Sequence, residues 1–96
     1  MPLLILFVTG NAPRTVRARA NLSRVLREMG LDSIKPQEVD LLETPQEGLT
    51  YSIFATPSLL RTDSGGDEGL LYGDLSDTDR LRRFLADLGD AEGPTA

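Results

Sequence analysis

Thr9, Asn11 and Thr15 surround the first loop of the chain and are the side chains there that could take part in chemistry. A hydroxyl becomes a nucleophile only when a neighbouring base removes its proton. The sequence has no histidine and no cysteine, so it lacks the commonest general base at neutral pH and any thiol. The loop also lacks the glycine and lysine spacing of a phosphate-binding loop. We therefore predict no catalytic residue and no cofactor, and we do not expect an enzyme.

Acidic side chains flank the Gly65–Gly66 pair in the second half of the chain. Asp63, Asp67 and Glu68 carry the oxygen ligands that calcium prefers, but the twelve-position spacing of a calcium-binding loop is missing. A polar, glycine-rich stretch between two apolar runs is typical of a hairpin. We predict a solvated hairpin loop over residues 62–69 and no metal site.

Four arginines lie on the outer arc of the first predicted helix: Arg14, Arg17, Arg24 and Arg27. Arginine is favoured at interfaces because it binds carboxylates through two parallel hydrogen bonds. A charged outer face is also commonly solvated surface, so both interpretations stay open. Residues 1–36 have a charge balance of +4 and residues 37–96 one of −9. This asymmetry suits the steering of a docking partner, while the net charge of −5 argues against general nucleic-acid binding.

Apolar patterning predicts a single α/β domain over residues 1–89, with elements in the order βαβαββα and a disordered tail over residues 90–96. The first strand is a continuous apolar run, which indicates a central strand covered on both faces. The first two strands are expected to be parallel and the last two antiparallel, in a mixed four-stranded sheet with three helices. The predicted strands are Leu3–Val8, Ser33–Leu42, Ser58–Arg61 and Leu70–Tyr72, and the predicted helices are Pro13–Met29, Pro45–Ile53 and Ser76–Gly89.

Short polar motifs predict where the helices begin. Thr44 and Glu47 have the spacing of a capping box, with Pro45 at the first helical position. Ser76 is the predicted N-cap of the last helix, whose first turn carries acidic residues. Pro36 inside the second strand predicts an edge strand, because proline has no N–H for a ladder hydrogen bond.

The Thr56–Pro57 pair stands at the entrance to the third strand. A cis X-Pro bond is common in tight entries of this kind, and we predict one at Pro57. The arrangement resembles the thioredoxin fold, in which a cis-Pro loop faces the loop after the first strand. Here that facing loop is residues 9–14, which contains no Cys-x-x-Cys motif. The resemblance therefore implies a thioredoxin-like scaffold without thiol-disulfide chemistry.

Four stretches in order resemble the KaiB family of cyanobacterial circadian clock proteins. They are Leu6–Pro13 with Val16–Ala18 after it, Val39–Leu42 with Thr44–Gln46, Ile53–Leu59, and Gly73–Ser76. The resemblance implies a regulatory module that docks on the ATPase ring of KaiC, sequesters KaiA and displaces the histidine kinase SasA. It also implies a family able to switch from a tetramer of another fold to a thioredoxin-like monomer.

The resemblance and the basic helix face together give a set of expected partner-binding residues: Arg14, Arg17, Arg24, Lys35, Gln37, Gly73 and Asp74. Two departures from the family pattern accompany them. The interval from Arg61 to Tyr72 has glycines where clock proteins have a proline run, and Gln37 replaces a basic residue, which puts a KaiA-type contact in doubt. We expect a mainly monomeric, cytoplasmic protein that is a divergent paralogue of the oscillator component. The alternative is a cysteine-free thioredoxin-like sensor or adaptor domain of another signalling system.

Overall fold

Seven elements follow one another in the predicted order in the computed structural model. The structure describes the backbone of residues 3–62 and 68–92, and within these the side chains of residues 4–62 and 68–86. The elements are β1 (Leu3–Val8), α1 (Pro13–Glu28), β2 (Gln37–Asp40), α2 (Gln46–Thr50), β3 (Ser58–Thr62), β4 (Glu68–Tyr72) and α3 (Thr78–Glu92). The order βαβαββα is therefore confirmed.

The four strands form one mixed sheet in the order β2-β1-β3-β4. Strand β1 pairs parallel with β2, with Ile5 opposite Gln37, and antiparallel with β3. Strands β3 and β4 pair antiparallel, with Ser58 opposite Tyr72. This confirms the central position of β1, the edge position of β2 and both predicted pairings.

Alternate residues of β1 serve two separate cores, because successive side chains of a strand point to opposite faces. Leu4, Leu6 and Val8 pack on the first face against α1 and α3. Ile5 and Phe7 lie on the second face with Leu60. The predicted apolar arc of α1 is buried from Ala18 to Leu26, and Thr15, which the pattern did not predict, is buried with it.

Arg61 is a buried charged residue on β3, next to Leu60 but on the face that carries the larger core. Its Nη1 donates a hydrogen bond of 2.7 Å to the carbonyl oxygen of Phe84 in α3. A buried charge is tolerated when its hydrogen-bonding groups have partners. The contact fixes α3 against the sheet at mid-helix.

Strand β2 and helix α2 are shorter than predicted. Strand β2 begins directly after Pro36 and ends at Asp40, whose carbonyl accepts the N–H groups of Glu43 and Thr44 in a turn. The predicted capping box is wrong, because the Thr44 hydroxyl donates to the Asp40 carbonyl at 3.2 Å and α2 has Pro45 at its N-cap position. Helix α2 ends at Thr50, ahead of the end predicted near Ile53.

Helix α3 is capped by Asp77 and not by Ser76. The Asp77 carboxylate accepts the N–H of Arg80 at 3.1 Å, while the N–H of Ser76 donates to the Asp74 carboxylate. The helix continues to Glu92, beyond the end predicted at Gly89. The central part of the predicted hairpin loop, residues 63–67, and residues 93–96 of the predicted tail lie outside the described residues.

Across the described ranges, no helix combines the length and the apolar character needed to cross a membrane.

Candidate functional site

Three loops meet at the end of the sheet where β1 finishes and β3 begins. The Thr56–Pro57 bond is cis, as predicted. The hydroxyls of Thr9 and Thr56 are hydrogen-bonded at 2.9 Å, which joins the loop after β1 to the cis-Pro loop. The N–H of Gly73 donates to the Pro57 carbonyl at 2.9 Å and adds the loop after β4.

This loop junction carries two hydroxyls but no thiol, since the sequence has no cysteine. Exposed Ala12 stands at the N-cap position of α1 and Thr15 is buried one turn later. The two threonine hydroxyls at the junction bond to each other, and a hydroxyl without a base is a poor nucleophile. The arrangement can hold loops in place and present a surface for binding.

A group that we call the turn cluster consists of Arg14, Arg17 and Asn21 on α1 with Gly73 and Asp74 after β4. Arg17 Nε donates to Asp74 Oδ2 at 3.0 Å, and Asn21 Nδ2 donates to the Asp74 carbonyl at 3.0 Å. The Arg14 guanidinium lies over Gly73, where a Cβ would be 3.9 Å from Arg14 Nη2. Helical residues three and four positions apart share a face, so these three side chains reach the same turn.

The backbone after β4 holds the turn in an uncommon conformation. Gly73 has φ +107°, a region that side chains disfavour, and Leu75 has φ +63°. Leu75 tolerates this angle because its side chain is packed in the larger core, only 4% exposed. The core thus anchors the segment that carries Gly73 and Asp74.

Asp74 is the electrostatic centre of the turn cluster. Hydrogen bonds from Ser76 and then from Arg17 lower the pKa of Asp74 to about 2. The carboxylate therefore remains charged at neutral pH and holds Arg17, whose side chain is still 55% exposed. The turn cluster combines partly exposed guanidinium groups with a fixed anion.

The remaining predicted binding residues lie elsewhere. Lys35 and Gln37 stand at the beginning of β2, at the opposite edge of the sheet from β4, about 14 Å away for three strand spacings. Each lines a small groove that also includes Ser23 of α1. Arg24 is exposed on α1. The structure thus brings together Arg14, Arg17, Gly73 and Asp74, and separates them from Lys35 and Gln37.

Two contacts made by side chains of α1 were not predicted from the sequence. Asn21 belongs to the turn cluster, and its spacing of four residues from Arg17 could have indicated that. Arg19 binds Glu38 of β2 through two hydrogen bonds of 2.8 and 2.9 Å. This contact depends on the crossing of α1 over β2, for which the sequence carries no local signal.

Comparison with known proteins gives one family. The model of the KaiB domain matches residues 5–86. Circadian clock protein KaiB3 of Synechocystis sp. is 32% identical over 79 residues, which cover 82% of this chain and 76% of that protein. Circadian clock oscillator protein KaiB of Microcystis aeruginosa is 35% identical over 81 residues, covering 82% of this chain and 75% of that protein.

Solved structures of two different kinds of protein have the same fold as this chain. The N-terminal domain of Synechococcus elongatus SasA superposes with a TM-score of 0.74 at 26% identity, covering 96% of this chain and 87% of that one. A thioredoxin from Fasciola hepatica superposes with a TM-score of 0.71 at 15% identity, covering 88% and 78%. The fold is thioredoxin-like, as predicted. Because the domain match runs from β1 into α3 and includes all four motif stretches, the chain belongs to the KaiB family.

Proposed function

We propose that this protein is a circadian clock regulatory module that docks, in its thioredoxin-like state, on the ATPase ring of a KaiC-type protein. There it regulates phosphorylation and competes with a SasA-type histidine kinase. One observation carries the proposal: a chain of the KaiB family has the fold of the SasA N-terminal domain along 96% of its length. Two proteins with the same fold are suited to compete for the same site on a KaiC-type protein.

The turn cluster and Arg24 form the proposed docking surface. Its guanidinium groups match carboxylates on a partner, since arginine binds them in a planar, two-point geometry. Asp74 keeps Arg17 oriented, because its own charge is stable at neutral pH. Lys35 and Gln37, at the far edge of the sheet, form a separate region proposed for a KaiA-like protein.

The other properties that we propose follow from the same function. The protein acts by binding and not as an enzyme, since the sequence has neither histidine nor cysteine. It works in the cytoplasm as a mainly monomeric single domain that includes the whole of α3. A tetramer is possible only in the alternative fold.

The test is the association rate with the isolated first ATPase ring of a KaiC-type protein, measured at low and at high salt. The variant Arg17→Glu/Arg24→Glu should associate about tenfold more slowly at low salt, because steering charges act mainly on association. It should also lose most of its salt dependence. The matched control is Arg80→Glu/Arg83→Glu, which makes the same change of net charge at exposed positions of α3, outside the basic arc of α1, and should associate within about twofold of the unmodified chain.

A charge exchange separates docking from local stability. In Arg17→Glu/Asp74→Arg the ion pair can form in the reverse direction, while α1 has lost the positive charge of Arg17 and keeps those of Arg14 and Arg24. We expect association to stay slow although the chain is folded by circular dichroism. Full recovery of the rate, or an unchanged rate for Arg17→Glu/Arg24→Glu at low salt, would mean that this face is only solvated surface.

A second candidate function is a sensor or adaptor domain of another signalling system. The observation that favours it is again the likeness to the SasA domain, at 26% identity. The two functions differ in partner. Retention of the chain on an immobilised KaiC-type ATPase supports the first, and retention only on a histidine kinase or another receptor supports the second.

A further inference from the structure

The second face of the sheet is covered much less than the first. Helices α1 and α3, of 16 and 15 residues, pack on the first face, whereas α2 has five residues. A groove of about 450 Å³ lies between β2 and α2. Its floor contains Ile5, Val39 and Tyr51, and the Tyr51 ring packs on Phe7 at 5.5 Å between centroids. These three apolar side chains lie within a lining whose exposed area is mostly polar.

The rim of this groove carries one sign of charge. Its acidic residues are Glu38, Asp40, Glu43 and Glu47, and the lining as described includes no basic residue. Glu38 is occupied by Arg19, and the Asp40 carboxylate accepts the N–H groups of Gly10 and Leu42. Glu43 and Glu47 differ from them, because their carboxylates have no hydrogen bond or ion pair with any residue in the described parts.

Exposed apolar side chains are concentrated on the segment that follows β2 in sequence, outside the lining of the groove itself. Five large hydrophobic residues of the described chain are markedly exposed, and three of them lie between β2 and the cis-Pro loop. They are Leu42 at 71%, Leu49 at 85% and Phe54 at 87%. Large apolar side chains next to charged groups are typical of a protein interface, in which aromatic residues often supply much of the binding energy.

We propose that this groove, with the segment that follows β2, docks a basic, lysine- or arginine-bearing segment of a partner protein. An apolar side chain of the partner covers Ile5, Val39 and Tyr51, and its cationic groups pair with Glu43 and Glu47. Charge complementarity selects this occupant, because an acidic rim repels nucleic acid and acidic peptides. Eight of the ten basic residues of the chain itself lie on α1 and α3, on the other face, and of the remaining two Lys35 is a single exposed lysine and Arg61 is buried in β3, so a second copy offers no comparable extended basic segment in its described residues.

This surface is separate from the turn cluster proposed for KaiC-type docking, whereas Gln37 belongs both to the groove and to the region proposed for a KaiA-like protein. The turn cluster is basic and involves α1, on the first face, whereas the groove is acidic and involves α2, on the second. One chain can therefore hold two partners of opposite charge. Failure of either interaction leaves the other intact, which keeps the two proposals separately testable.

The experiment uses the full chain, labelled with ¹⁵N, and a capped heptapeptide in which lysine alternates with valine. We expect saturable chemical-shift changes in residues 37–51. A peptide that alternates lysine with glycine keeps the charge but has no apolar side chains, and it should bind at least about fivefold more weakly. A peptide that alternates glutamate with valine keeps the apolar side chains but has the opposite charge, and its binding should be weaker by at least the same factor. Equal binding of the lysine–glycine peptide would overturn the proposal.

Variants locate the interaction. Glu43→Gln/Glu47→Gln should weaken binding of the lysine–valine peptide about fivefold, as expected for the loss of two partly exposed ion pairs. The control Asp32→Asn/Asp79→Asn makes the same change of net charge on the other side of the molecule, and its affinity for the peptide should stay within about twofold of that of the unmodified chain. The same holds for Arg17→Glu, which changes the turn cluster. Equal weakening by the control, or shift changes spread over all acidic residues, would contradict a built site. Concentration-dependent dimerisation of the chain alone that Glu43→Gln/Glu47→Gln abolishes would assign the groove to a second copy and also overturn the proposal.

Discussion

Asp74 has more roles than any other side chain of the turn cluster. Its carboxylate accepts hydrogen bonds from Arg17 and from the backbone of Ser76, and its own carbonyl accepts one from Asn21. It thereby connects α1 to the segment that leads into α3. A single acidic residue orders the turn and fixes the orientation of an exposed arginine.

The first prediction concerns the pH dependence that Asp74 brings. Its pKa falls from 3.8 to about 2 on folding, so its contribution to stability is present above about pH 4 and is lost as the pH falls towards 2. Asp74→Asn should therefore be less stable than the unmodified chain at pH 6, and the difference should shrink as the pH approaches 2. Urea unfolding followed by circular dichroism between pH 2 and 6 measures it.

The control for this experiment is Asp32→Asn. Asp32 is exposed and forms no side-chain hydrogen bond within the described residues. Its replacement should leave the shape of the pH curve unchanged. A stability difference for Asp74→Asn that is as large at pH 2 as at pH 6 would exclude the charge of Asp74 as its cause.

For single residues, the sequence predicted which side chains lie at a binding surface better than it predicted which residues they contact. Arg17 and Asp74 were both expected at a binding surface, one from the helix periodicity and the other from the family resemblance. Their ion pair joins residues 57 positions apart, and no local pattern encodes such a contact. Lys35 and Gln37 were grouped with them, yet the sheet order separates them.

Elements were predicted well where one physical cause dominates. The apolar arc of α1, the continuous apolar run of β1 and the stop at Gly30, with φ +71°, depend on burial and backbone freedom within the segment itself. Errors occurred where two groups compete for one hydrogen bond. The Thr44 hydroxyl bonds Asp40 and not the start of α2, and at α3 the capping bond from the Arg80 N–H goes to the Asp77 carboxylate and not to the Ser76 hydroxyl. Which of the two groups forms the bond depends on the geometry of the turn, and the propensities of the residues do not specify that geometry.

The second prediction tests the reassigned cap of α3. Asp77→Ala should lower the free energy of unfolding by about 1 kcal/mol, the usual cost of losing an N-cap acceptor. Ser76→Ala should cost less than half as much, since it removes only the hydroxyl that supports the Asp74 carboxylate, and Asp74 keeps its bonds from Arg17 and from the backbone N–H of residue 76. Chemical denaturation at pH 7 compares the two variants. A larger loss for Ser76→Ala than for Asp77→Ala would restore Ser76 as the cap.

For the molecule as a whole, the basic helix α1 and the acidic groove lie on opposite faces of the sheet. The balance of +4 over residues 1–36 comes mainly from α1, which covers the first face of the sheet. The acidic groove belongs to the second face. The field of such a chain orients it during approach, and partners of opposite charge meet different faces.

The resting fold is the property of the whole molecule that the family resemblance leaves open. A population ratio of 1:99 between two folds corresponds to only about 2.7 kcal/mol, so a few local contacts decide which fold dominates. Several such contacts lie in the second half of the chain. Strands β3 and β4 pair along their full length, Gly73 bonds Pro57, and Arg61 bonds the Phe84 carbonyl.

The third prediction is that the chain rests mainly in the thioredoxin-like state and is mostly monomeric. Leu71, Leu75 and Leu81 are each at most 6% exposed in the larger core, and an alternative fold of the second half would have to remove them from it. The interval from Arg61 to Tyr72 also lacks the prolines that disfavour a regular hairpin. Backbone chemical shifts should therefore report strands at Ser58–Thr62 and Glu68–Tyr72, and sedimentation at micromolar concentration should give a monomer. Helical shifts across Arg61–Leu71, or a tetramer at that concentration, would instead mean that the chain rests in the other fold and must convert before it docks.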